Sequence, residues 1–226
     1  MDLRAKALTI EQARALLEVA RTKPFGSLVR FLLDAGCRSG EAFALSWDDV
    51  NLKEAWANIR FSMSSDDGRA IRKAVKNEFE RRVYLEPGTL AALAAHAKNP
   101  HARWNLVWTN SEGEPLDRNN FRKRVAKPMF AEAGLAGFVP HTLRHTVASL
   151  QLAQGSDIPT VQKRGGWADT RTLLNIYAHV FDGTQKELVA KMHSAKRQPL
   201  DTETFVGITG TKFIRPKHRA ANKPRD

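Results

Sequence analysis

The sequence predicts a mainly α-helical domain with a small antiparallel β-sheet set into it, an α+β fold. Capped segments with helical apolar periodicity recur along most of the chain. Strand-like alternation is confined to Ala55–Leu85, with a turn signal near its middle. Hydrophobic residues make up 42% of the 226, enough for a packed core.

The elements follow in order. Thr9-Ile10-Glu11-Gln12 offers a helix cap with a polar residue three places on, and Leu16, Leu17 and Ala20 continue the apolar face. A second helix is expected from about Pro24, a good first-turn residue, to Ala35, with Gly36 as its end. After Leu45-Ser46-Trp47 the helical signal breaks at Asp48-Asp49. Trp56, Asn58 and Arg60 then alternate with Ala57, Ile59 and Phe61. Asp66-Asp67-Gly68 reads as a turn, and Arg82-Val83-Tyr84-Leu85 as a second alternating run. Thr89–Lys98 reads as an alanine-rich helix and Asn105–Trp108 as a short strand. Asp117 caps a helix running to Ala133, kinked at Pro128 and stopped by Gly134. Further helices are expected over 141–153, 157–164, 170–179 and 184–194. From Lys196 the composition loses periodicity, so residues 195–226 are expected to form a basic, flexible tail.

Charge narrows the function. The 36 Lys and Arg against 24 Asp and Glu give a net +12, which points to a polyanionic partner, with nucleic acid ahead of a membrane surface. A single cysteine, Cys37, excludes an internal disulfide and a cysteine-based zinc site; it adjoins an apolar run and reads as a buried structural thiol. No apolar stretch has membrane-spanning length and the first residues lack a secretory core, so a cytoplasmic location is expected.

His141 and Arg144 share one helical face, and Arg38 and Glu41 have the same three-residue spacing just after Gly36. Tyr177 is one of only two tyrosines and lies downstream of these cations. Metal-free cleavage of a phosphodiester needs a nucleophile, cations on the non-bridging oxygens, an acid for the leaving oxygen and a hydrogen bonder near the nucleophile. Tyr177, Arg38 with Arg144, Lys76 and His141 are of the right types, although spacing alone does not bring them together. Other readings apply to individual residues. Tyr84 reads as a packing residue of a strand, and Trp47 and Trp56 as core. Glu41 reads as an orienting partner of an arginine. His141 and His145 have the spacing of a helical zinc pair but lack a third ligand, which leaves His145, and with it His179, as support for the site.

At these positions the sequence resembles the tyrosine recombinase, or phage integrase, family. The resemblance rests on Gly36-Cys37-Arg38-Ser39-Gly40-Glu41 followed by Leu45-Ser46-Trp47; on His141-Thr142-Leu143-Arg144-His145; and on Gly165-Gly166-Trp167 running to Tyr177-Ala178-His179. It extends over about residues 8–194. Between the boxes lies a hairpin that resembles the one carrying the family's lysine. Lys76 stands five residues before Arg81 and is preferred over Lys73 on that register.

The resemblance implies the tyrosine recombinase catalytic-domain fold over residues 1–194 and a DNA strand transferase acting in site-specific recombination. Tyr177 would attack the scissile phosphate to give a 3′-phosphotyrosine. Arg38 and Arg144 would clamp the phosphate, and His141 would hydrogen-bond it or take the phenolic proton. Lys76 would protonate the leaving oxygen, and Trp167 would donate its indole N–H and pack the pocket. No metal, ATP or other cofactor is implied. The implied partners are double-stranded DNA and further protomers, as a tetramer on DNA, with segment 180–226 docking on a neighbour. Two departures stand out: Trp167 and Tyr177 are one residue further apart than the family's usual spacing, and Arg164 replaces an apolar residue. The family's N-terminal DNA-clamping domain is expected to be absent before Thr9. Two alternatives remain open, a non-catalytic DNA-binding or regulatory remnant of an integrase and a relaxing enzyme like a type IB topoisomerase.

Overall fold

The computed structural model describes residues 7–66, 69–75, 80–96, 98–171, 173 and 174. Helix α1 (Ile10–Ala20) begins at the expected cap. The Gln12 N–H donates to Thr9 Oγ1 at 3.2 Å, and the Thr9 N–H donates to Gln12 Oε1 at 2.9 Å. Helix α2 (Gly26–Ala35) starts two residues later than the sequence suggests. Pro24 serves the turn, and Phe25 sits in the left-handed region at φ 61°. Gly26 opens the helix because a Cβ there would collide with the Ala20 carbonyl. Gly36 ends α2 at φ 63°, as expected for a left-handed cap.

A short helix, α3 (Ser39–Phe43), follows directly, and Trp47–Asp49 forms a 3₁₀ turn. The alternating region makes two small antiparallel sheets rather than one. Strands β1 (Val50–Asn51), β2 (Trp56–Ile59) and β5 (Arg81–Tyr84) form a three-stranded sheet in the order β1-β2-β5, while β3 (Phe61–Asp66) and β4 (Arg69–Ala74) pair only with each other. The break falls at Arg60, whose side chain is drawn to Asp49 by a 2.6 Å bond. Asp66 pairs with Arg69 at the hairpin end. Residues 67 and 68 of the anticipated turn lie outside the described residues.

Helix α4 (Pro87–Ala94) begins at its proline. Asn105–Trp108 is not a strand. Arg103–Asn105 is a 3₁₀ turn, Leu106 bridges only Ser46, and the Val107 N–H donates to the Leu45 carbonyl at 2.9 Å. The next helical stretch is composite: α5 (Arg118–Asn120), a π-helical segment (Phe121–Ala126) and α6 (Lys127–Glu132). Asp117 caps it, accepting from the Asn120 N–H at 2.7 Å. Pro128 has no N–H to give, and the widened turn just before it is where the chain absorbs that loss.

Helices α7 (Pro140–Ala153) and α8 (Ile158–Gly165) complete the described elements. The helix expected over 170–179 falls largely outside the described residues, and the helix over 184–194 and the tail wholly so. Helix α2 is central and packs on α1, α4 and α7. Leu28, Phe31, Leu32, Phe43, Ile59, Trp108, Phe130 and Leu143 are all fully buried in the main core. A second apolar cluster, Ala148, Leu152, Val161, Trp167 and Leu173, joins α7 to α8. Trp47 packs against the main core only in part. Trp56 and Tyr84 depart from expectation. They face each other across β2 and β5 on the sheet's outer side, with Tyr84 62% exposed and Arg82 stacked 4.1 Å over the Trp56 ring.

Candidate active site

Helix ends, a strand start and turns place the site residues. Arg38 caps α3, and its backbone N–H donates to Glu41 Oε2 at 2.8 Å, so the third residue of the helix closes over its start. The same carboxylate accepts from Arg38 Nη1 at 3.1 Å. The Arg38 side chain is 42% exposed whereas that of Glu41 is 2% exposed, so the arginine reaches outward from a buried anchor. Gly40 is required by contact, since a Cβ there would lie 2.8 Å from the Met63 carbonyl of β3.

Glu41 has a second cation on its inner side. Arg81, at the start of β5, donates Nη2–H to Glu41 Oε2 at 2.7 Å with its side chain only 2% exposed. The strand period alone puts Arg81 on the inward face with Val83, leaving Arg82 and Tyr84 outward. Arg81 then reaches α8, donating Nε–H to the Arg164 carbonyl at 2.8 Å and Nη2–H to the Gly165 carbonyl at 3.0 Å. These carbonyls end a helix, where partial negative charge accumulates and cations are favoured.

Arg144, on α7, approaches the same turn. Its Nη1 donates to the carbonyls of Gly36, at 3.0 Å, and Gly165, and its Nη2 to that of Gly166 at 3.3 Å. Its guanidinium stacks 4.0 Å over the Trp167 ring. Burial, and then the nearby Arg38 cation, lower its pKa to about 10, which leaves it charged at neutral pH. Glu41 moves the other way from what burial alone would do. Desolvation pushes its pKa up, but Arg81 and Arg38 outweigh that and hold the carboxyl below its ordinary value.

His141 is exposed at the first turn of α7, its ring edge-on to His145 at 4.7 Å, and His145 lies 5.7 Å from Trp167. His145 is buried between the His141 and Trp167 rings. The structure therefore brings Arg38, His141, Arg144 and Trp167 into one neighbourhood; of these, His141 and Arg38 reach the surface while Arg144 is 2% exposed. Lys76 and Tyr177 lie outside the described residues. Strand β4 ends at Ala74, two residues before Lys76. The hairpin is clipped beside α3: Arg72 Nη2 donates to the Ala44 carbonyl at 3.0 Å and lies 3.7 Å from Oδ2 of buried Asp49.

Next to Arg38 opens a groove of about 1250 Å³ between the β3–β4 hairpin and the segment leading into α5. Arg69, Arg103 and Arg118 also line it, with Asp117 and with Glu114, which pairs with Arg103 at 3.2 Å, so the arginines outnumber the carboxylates. Arg164, the departure from the family pattern, has a local explanation. Its Nη2 donates to Asp34 Oδ1 at 2.9 Å and to the Asp34 carbonyl at 3.0 Å, tying α8 to the end of α2. Asp34 also accepts the Glu86 N–H at 2.7 Å just before α4. Cys37 is buried and its thiol is pushed up to about 12, mainly by desolvation.

Sequence comparison finds a match to the phage integrase family over residues 6–184. Among curated relatives, tyrosine recombinase XerD of Halalkalibacterium halodurans is 29% identical over 196 residues, covering 83% of this chain and 62% of the relative. Tyrosine recombinase XerA of Saccharolobus solfataricus is 28% identical over 191 residues, covering 84% and 58%. The chain thus spans less than two thirds of these relatives. Among solved structures, the Tn1549 transposon integrase in complex with a circular intermediate DNA superposes with a TM-score of 0.71 at 16% identity, over 81% of this chain and 65% of that one. A XerA recombinase superposes with a TM-score of 0.64 at 26% identity, over 85% and 65%. The fold is that of tyrosine recombinase catalytic domains. Among the described residues, no helix is long and apolar enough to cross a membrane.

Proposed function

The chain belongs to the phage integrase family, and on that premise we propose that it cleaves and rejoins DNA at specific sites through a 3′-phosphotyrosine intermediate, working in the cytoplasm. The observation that carries this reading is electrostatic. Arg38, Arg81 and Arg144 gather about the carboxylate of Glu41, leaving a cationic excess beside a groove lined by further arginines. Such an excess, partly desolvated, favours a phosphodiester. The Tn1549 integrase, similar in fold, was solved in complex with a circular intermediate DNA, which supports DNA as the partner. In this reading the DNA is double-stranded and further protomers assemble on it as a tetramer.

In this reading the Tyr177 phenolate attacks phosphorus, the bond to the 5′-oxygen breaks, and Lys76 supplies the proton that oxygen takes up. Arg38 meets the non-bridging oxygens from the surface. Arg144 meets them by giving up backbone carbonyls for phosphate oxygens, a trade of neutral for charge-assisted hydrogen bonds. His141 takes or shares the phenolic proton, and Trp167 holds Arg144 in place by its ring. The phosphotyrosine keeps the energy of the broken bond, so rejoining needs neither ATP nor metal. Residues 1–194 form the catalytic domain in this reading, and 195–226 a basic tail.

The test is covalent capture. The protein is incubated with a pool of nicked duplexes of random sequence, and adducts are read on a denaturing gel. An adduct from the parent that disappears in Tyr177→Phe supports the reading. DNA binding without any adduct points instead to a non-catalytic relative.

A further inference from the structure

We propose that Arg81 is the positioning residue that holds the Arg38 segment and the Gly165–Trp167 turn in one register, so that Arg38 and Arg144 meet the same phosphate. The proposal rests on the reading of the site as a phosphodiester site. Arg81 is buried, as Arg144 is, but differs in its partner. Its guanidinium is ion-paired with the Glu41 carboxylate at 2.7 Å, whereas Arg144 donates to neutral carbonyls that a phosphate can replace. Arg81 therefore stays with Glu41 and is not a further phosphate ligand. What it does is connect. One side of its guanidinium binds Glu41, which grips Arg38 through both backbone and side chain. The other side binds the carbonyls of Arg164 and Gly165, and the Gly165 carbonyl also accepts from Arg144.

Gly166 shows how closely the turn is fitted to this residue. Its φ is +70°, and a Cβ there would lie 2.6 Å from the Arg81 guanidinium. The planar fork matters as much as the charge. A lysine could neutralise Glu41 as a point charge, but it has no rigid fork to span the carboxylate and two carbonyls of another element. This separates positioning from mere charge balance.

The experiment compares the parent with Arg81→Lys and with the double variant Arg81→Met, Glu41→Gln, which removes both members of the pair. Folding is followed by circular dichroism. Inorganic phosphate is titrated against ¹⁵N-arginine-labelled protein, reading the Nε–H resonances of Arg38 and Arg144. The rate of covalent capture and the affinity for long duplex DNA are measured alongside. The expected result is a folded Arg81→Lys protein with phosphate affinity reduced about tenfold and capture slowed about 100-fold, the scale of a small misplacement of reacting groups. Affinity for long DNA should change less than about twofold, because many phosphate contacts share it.

A folded Arg81→Lys protein with parental phosphate affinity and capture overturns the proposal. If only the double variant folds, a fall in phosphate affinity supports it and an unchanged affinity overturns it. Unfolding of both variants assigns Arg81 to folding alone and overturns it too. A parent that binds phosphate but forms no adduct defeats the recombinase chemistry, and Arg81 is then judged by phosphate affinity. A parent that shows no phosphate response at Arg38 or Arg144 overturns the Arg81 proposal, with capture still judging the chemistry.

Discussion

Replacing Glu41 by Gln keeps the shape of the side chain and removes only its charge. The parent carboxylate is 2% exposed, 2.7 Å from Arg81 and 3.1 Å from Arg38. Glutamine retains a carbonyl that accepts from the Arg38 N–H, but it leaves the Arg81 guanidinium buried without a counter-charge. Breaking a buried pair from one side costs about 3–5 kcal/mol, a large part of a total stability of roughly 5–15 kcal/mol. At about 2–4 °C per kcal/mol for a domain of this size, Tm should fall by roughly 6–20 °C at pH 7. The pH dependence has a definite sign. The folded carboxyl titrates below its ordinary value of 4.5, so the stability it confers is present above that pH and is lost as pH falls through the depressed value. The gap between parent and variant should therefore close in acid. The assay is thermal unfolding by circular dichroism from pH 7 down to pH 3. A variant within about 2 °C of the parent at pH 7, or a gap that widens in acid, would refute the reasoning.

Three further outcomes are expected. Gly166→Ala places a methyl at φ +70° and 2.6 Å from the Arg81 guanidinium, so it should cost about 1–3 kcal/mol in urea unfolding and slow covalent capture while leaving duplex binding intact. Arg164→Leu restores the apolar residue usual in the family but strips Asp34, whose side chain is 4% exposed, of its cation; a loss of about 1–3 kcal/mol is expected, largely recovered in the double variant with Asp34→Asn, which removes the charge and keeps an acceptor for the Glu86 N–H. Cys37, buried with its thiol raised to about 12, should resist a disulfide-exchange reagent at pH 8 until denaturant is added, as followed by thiol titration; rapid labelling of the native protein would count against the buried placement.

Much of the fold was legible from local chemistry. The Thr9–Gln12 cap, the Gly36 stop and the Asp117 cap are interactions between residues a few positions apart, so sequence spacing reveals them. The misreadings also have physical causes. Pro24 is an acceptable first-turn residue, yet the helix waits for Gly26 because only a residue without a Cβ fits beside the Ala20 carbonyl. Asn105–Trp108 is apolar enough for a strand, but Asn105 ends an exposed 3₁₀ turn, and the buried Leu106, Val107 and Trp108 that follow are satisfied by one isolated bridge to Ser46 and the bond to the Leu45 carbonyl. Tyr84 carried the alternation of a strand residue, and its register does put it on a sheet face, the outer one.

For the site, the kinds of groups and their order along the chain are legible in the sequence: the arginine after the glycine turn, the His-x-x-Arg face, the glycine pair before Trp167. Lys76 and Tyr177 rest on that order still. Which charges are partners emerges from the folded chain. Arg81 meets Gly165 across 84 positions and Arg144 meets Gly36 across 108, separations that no local pattern encodes. The physical reason is burial. A charge removed from water must find its counter-charge or carbonyl wherever the fold brings one, so Arg81, read from sequence as a register mark, becomes the link between two walls of the site.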